Sequence, residues 1–157
     1  MPHLATYVTL AGRSEQTLAE AFRTVAEGHA VEAGVFHMCT LLAGWCDDHV
    51  RRLQPVVDRH ADIGAADDVR EPERLHAAEL TEVRTGPVGL LRDLQDLMVL
   101  ATLVQTTWTV VDQCAQGARD EELQRIAEQC NHETSRQLKW LNTRLKAAAP
   151  QALLVAT

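Results

Sequence analysis

Apolar residues return every three or four positions along most of this chain, and no stretch alternates strictly between apolar and polar. That period belongs to helices with one face turned inward. The first helix is predicted over residues 4–27, where Leu4, Tyr7, Ala11, Leu18, Phe22 and Val25 form one stripe and Gly28 provides a stop. The second is predicted over 31–60, with Val31, Val35, Met38, Leu42, Trp45, His49, Leu53 and Val56 inward and Pro55 expected to kink or loosen its last turn. The third, 87–117, uses Pro87 near its first position and turns Leu90, Leu94, Leu97, Ala101, Val104, Trp108 and Val111 inward. The fourth, 120–148, is capped by Asp120 and carries Leu123, Ile126, Cys130, Thr134, Leu141 and Leu145 on its inner face.

Helices of about 25–30 residues are about 37–45 Å long at 1.5 Å per residue. Four of matched length make an all-α four-helix bundle. Short connections near Gly28 and Gly117 set helices one and two antiparallel, and likewise three and four. Residues 61–86 form a much longer connection, punctuated by Asp62, Gly64, Asp67, Asp68, Pro72 and Gly86. It is long enough to cross the whole bundle, which predicts helices two and three parallel. A plain up-and-down bundle, with Glu73–Arg84 as an added short helix, is the alternative.

With 157 residues and 17.4 kDa, the chain is read as one domain, 1–157. Apolar residues at 46% and charged residues at 24% suit a soluble globular protein. The net charge of −7 leaves no basic surplus to neutralise phosphates, so nucleic acid is not an expected partner. The longest uncharged run, Leu97 to Val111, falls short of the roughly 20 residues a membrane span needs. Met1-Pro2-His3-Leu4 lacks a basic region leading into an apolar one, so no signal peptide is expected, and the location read from this is cytoplasmic. Cys39, Cys46, Cys114 and Cys130 form no C-x-x-C pair and are expected to be reduced, those inside acting as small hydrophobes. No G-x-S-x-G, P-loop or G-x-G-x-x-G occurs, and no catalytic residue is assigned.

The second helix contains Cys46-Asp47-Asp48-His49-Val50-Arg51-Arg52-Leu53, which resembles the Glu-x-x-His-x-x-Arg-Leu segment of rubrerythrins and other ferritin-like proteins. Ser14-Glu15-Gln16-Thr17-Leu18-Ala19-Glu20-Ala21-Phe22 is similar to the opening of that family's first helix. The resemblance implies a ferritin-like bundle with the long connection between helices two and three. It also implies two Glu-x-x-His pairs and two further glutamates around two metals. The chain departs from that pattern at both pairs. Cys46 stands where the first glutamate would be, and the fourth-helix counterpart is Gln129-x-x-His132. At about 100° per residue, His132 falls on the outer face, and Glu20 and Glu27 also point away from the core.

A narrower set remains around His49, the histidine at the centre of the second stripe. Cys46 flanks it, Glu15 and Glu133 lie within a turn of its level, and helix three offers Gln105 or Trp108 there. Glu15, Cys46, His49 and Glu133 would suit one zinc or iron ion. The preferred reading has no metal, with His49 hydrogen-bonded to Glu133 or Glu15. On that reading, His49→Leu should be tolerated provided both glutamates reach water. A copper site from His37, Met38, Cys39, Cys46 and His49 is disfavoured because His37 faces outward.

Two functions follow: a metal-free ferritin-like bundle serving as a structural or interaction module, which is preferred, or a ferritin-like metalloprotein, either an oxidase or a metal handler. A homodimer is expected through helix three. Val99, Leu103, Thr106 and Val110 form an uncharged strip opposite its core face.

Overall fold

The computed structural model describes residues 2–60 and 82–156. The described residues form four long helices, α1 (Pro2–Gly28), α2 (Ala33–His60), α3 (Gly86–Ala118) and α4 (Glu121–Pro150), followed by a π-helical turn at Gln151–Val155. No strand occurs among the described residues. The apolar stripes account for the packing. Leu18, Phe22, Leu42, Leu53, Leu94, Leu97, Trp108, Leu123 and Leu141 are fully buried in one core. Val31 does not follow the expected pattern. It lies in the α1–α2 turn, two residues before α2 begins, and is 96% exposed.

Local chemistry sets the ends. Asp120 caps α4, accepting from the Leu123 amide at 3.1 Å, because the first amides of a helix have no intrahelical acceptor. Pro87 occupies the first turn of α3, where its missing donor costs nothing. The α3–α4 turn falls two residues later than Gly117 suggested. Gly117 stays helical, and Arg119 takes the left-handed conformation at φ 55°, its amide donating to Ala115 and Gln116 carbonyls. Helix α2 continues through Pro55 to His60.

Cross-helix contacts fix the directions. From α1, Glu15 meets His49 and Arg23 pairs with Asp47, so α2 runs against α1. Glu15 also meets Trp108, and His29, just past α1, meets Asp93, so α3 runs against α1 as well. Between α2 and α4, Arg59 pairs with Asp120 and Arg144 with Glu32. Between α3 and α4, Thr109 meets Asn131 and Gln105 meets Ser135. Helices α2 and α3 therefore share a direction, and α2 ends at the opposite end of the bundle from where α3 begins. Residues 61–81, on which the expected crossing path and most of the Glu73–Arg84 helix fall, lie outside the described residues. The last of that stretch, Glu82–Arg84, is irregular rather than helical.

That stretch is seated at the bundle end. A Cβ on Gly28 would lie 2.5 Å from a methyl of Val83, too close for any real contact. Gly28→Ala should therefore cost about 1–3 kcal/mol of stability. Adding Val83→Ala removes the two methyls but leaves the Val83 Cβ at 2.9 Å, so it should recover part of the loss, a coupling read from urea midpoints of the two single variants and the double variant.

Candidate polar site in the bundle core

Glu15 belongs to the inward stripe of α1. It fills the seven-residue gap between Ala11 and Leu18, four residues after one and three before the other. Its side chain has no solvent exposure. Gln137 fills the corresponding gap between Thr134 and Leu141 in α4 and is also buried. In both places a polar side chain takes a step of the inward row and is carried inside by the helix it sits on, in α4 next to the buried Thr134.

These residues meet in a layer that crosses all four helices. Glu15 Oε1 accepts from the Trp108 indole Nε1 at 2.7 Å and lies 2.8 Å from His49 Nδ1. The other ring nitrogen, Nε2, lies 2.8 Å from Glu133 Oε2. Arg52 donates to that same oxygen at 3.1 Å, and also pairs with Asp48 at 2.6 Å. The Gln137 amide donates to the Leu42 carbonyl at 3.0 Å and to Cys46 Sγ at 3.3 Å. The chain Trp108–Glu15–His49–Glu133–Arg52 thus leads from the centre of the core to its edge, where Glu133 is 28% exposed.

Ionised carboxylates only accept hydrogen bonds, so His49 donates to both glutamates only as an imidazolium. Burial opposes that charge, but Glu15 and Glu133 outweigh it and hold the His49 pKa above 6.5. Two acids, Glu15 and Glu133, then face two cations, His49 and Arg52, so the charges inside the layer balance, while Asp48 adds a third acid on the exposed side of Arg52. This balance makes its burial tolerable. Two buried acceptors still lack a donor, Glu15 Oε2 and Gln137 Oε1.

All four residues of the sequence-derived set occur at this level, but not around one point. The nitrogens of an imidazole point in divergent directions, so Glu15 and Glu133 lie on different edges of the His49 ring. Arg52 adds positive charge beside Glu133, where a cation would have to bind. Burial, reinforced by the charge of Glu15, pushes the Cys46 thiol well above its usual range, and burial raises Cys130 too. Cys39, also buried, is pushed up to about 12. Metals and nucleophilic chemistry require thiolates. Among the described residues, no group of three His, Cys, Asp or Glu side chains could hold a metal ion. The arrangement does not fit the metal centre that the family resemblance implied. His37, Gln129 and His132 are exposed, as their helical phase required.

A second buried histidine–carboxylate contact had no pattern in the sequence. His29 Nε2 lies 2.8 Å from Asp93 Oδ2, and Arg84 donates to Asp93 through its amide at 3.0 Å and its guanidinium at 2.8 Å. His29 sits in a turn and Asp93 beside core Leu94, so only the assembled bundle brings them together. Comparisons with protein-family models, curated proteins and solved structures find no match.

The condition under which His49→Leu would be tolerated is not met, because Glu15 is buried and cannot reach water when its partner is removed. The change should cost about 3–5 kcal/mol in chemical denaturation, and adding Glu15→Leu should recover part of the loss. Because the folded pKa of His49 is raised, its contribution is complete below the unfolded value of 6.5 and is lost as pH rises through the folded value. The ring protons of His49, followed by NMR, should titrate with a midpoint above 6.5, and unfolding free energy should fall through the same range. A midpoint at or below 6.5 would show that the two glutamates do not outweigh the burial of the ring.

Proposed function

We propose that this protein is a ferritin-like four-helix bundle with a metal-free interior, serving in the cytoplasm as a structural or interaction module rather than an enzyme. One observation carries the reading. Both nitrogens of His49 are engaged by carboxylates, and Arg52 neutralises the outer one, so no lone pair of the ring remains for a metal or a substrate. Further support comes from the helix directions. Parallel α2 and α3 suit a long connection that crosses the bundle, the arrangement found in ferritin-like folds. No helix among the described residues is long and apolar enough to cross a membrane.

The proposed interaction is with a second copy through α3. Val99 is 68% exposed, Val110 and Thr106 are also exposed, and Leu103 is half-buried beside them. These four keep one outward face for about three turns without a charge, the kind of surface a two-fold contact would cover.

Elemental analysis after growth with iron, zinc and copper tests the first part. Metal well below one equivalent is expected, and stoichiometric metal that disappears in His49→Leu would overturn the reading. For the second part, the native protein should sediment as a dimer. Leu103→Glu with Val110→Glu should yield a folded monomer, and a native protein that is already monomeric at high concentration would remove the dimer.

A further inference from the structure

Away from the polar layer, the first turns of α3 and the last turns of α4 leave a groove of about 660 Å³ between them. That size lies within the roughly 300–1,000 Å³ of sites that hold small molecules. Val88, Leu91, Leu145 and Leu153 make its walls apolar. The π-helical turn builds one side: Ala152 is buried, which anchors the turn and brings the next residue, Leu153, to the groove. The two charged residues lining the groove, Arg92 and Lys146, are both cations.

Both cations lie in a chain of net charge −7, and what distinguishes them from Arg119, Arg125 and Lys139, exposed cations that also have no ion pair among the described residues, is their place in an apolar groove. Arg23, Arg52, Arg59, Arg84 and Arg144 are each paired with an acid across helices or along the chain. Arg92 and Lys146 have no ion pair or hydrogen bond among the described residues. An apolar trough with two unpaired cations complements a molecule with an aliphatic body and one anionic end.

We propose that this groove binds a single-chain amphipathic anion, a fatty-acid carboxylate. The aliphatic chain would lie along Val88, Leu91, Leu145 and Leu153. Arg92, whose planar guanidinium suits a carboxylate, and Lys146 would hold the head group, with the Gln95 amide on the same wall as a further donor. A membrane surface is the less favoured partner. The acidic charge of the whole chain would repel anionic lipid, and the cations here are only two.

Titration calorimetry with decanoate and dodecanoate below their micelle concentrations tests the assignment. One saturable site per chain is expected, and each added CH₂ should tighten binding by up to about fourfold. Arg92→Gln with Lys146→Gln should weaken dodecanoate by at least about tenfold with the helical circular dichroism unchanged, since both side chains are exposed. Leu153→Glu, which leaves both cations in place, should weaken binding and flatten the chain-length dependence. Dodecyltrimethylammonium should bind far more weakly than dodecanoate. Equal binding of that cation, unaltered affinity in either variant, absence of saturable binding, or binding confined to phosphatidylglycerol vesicles would each overturn the proposal. A loss of thermal stability in the ligand-free glutamine variant would also overturn it, by showing that the chain itself fills the groove.

Discussion

The tolerance of one buried carboxylate organises this bundle. Glu15 lies in the middle of α1 with no access to water, and an isolated ionised carboxylate there would cost far more than a small domain's whole stability. It is held because α2 supplies an imidazolium and α3 an indole N–H to the same oxygen. Glu133 and Arg52 then complete the charge balance from α4 and α2. Each donor tolerates little displacement, since a hydrogen bond weakens steeply once its length or angle departs from the optimum. A slide of one helix along another by a single turn would separate these groups by about 5.4 Å. Apolar side chains can repack after such a slide, but this layer cannot. The network therefore fixes the register that the apolar core alone leaves less tightly defined.

The bundle end repeats the same physical solution with different residues. Asp93 is buried on α3 and is satisfied by His29 from the α1–α2 turn and by Arg84 from the segment leading into α3. Together the two clusters tie α1 to α3 at two levels, half a helix apart. Val83 against Gly28 adds a steric lock beside the outer cluster. The end where the chain re-enters the bundle is therefore held by charge and shape rather than by regular secondary structure.

The arrangement of the polar layer differs from the metal centre that the resemblance of the second helix implies. A metal site collects lone pairs toward one point, whereas here the polar atoms of Trp108, Glu15, His49, Glu133 and Arg52 are directed at one another in a chain. With Cys46 in place of a carboxylate and Arg52 on the outer glutamate, charge is balanced internally. What the core achieves is orientation and register. The surfaces proposed for partners lie outside it, on the uncharged face of α3 and in the groove beside its first turns.

The sequence alone was enough to determine the four long helices, most of their inner faces and the level at which the polar residues gather. Helical period is a local property, written every three or four residues, and a cap such as Asp120 is set by its immediate neighbours. Even the buried polar positions left a trace, because Glu15 and Gln137 each occupy the missing step of an apolar stripe. The sequence could not fix partners. His49 was placed beside Glu15 or Glu133, but its bonding to both, Trp108 as donor to Glu15, and Arg52 as counter-charge depend on the rotation of four helices about their axes. The pairing of His29 with Asp93, 64 residues apart, depends on two chain segments meeting at one end of the bundle. Positive φ at Arg119 rather than at Gly117 was decided by where α3 and α4 must part to pack. Periodicity carries information along one helix, whereas hydrogen-bond partners and charge balance are properties of distances between helices, and those distances exist only once the bundle has closed.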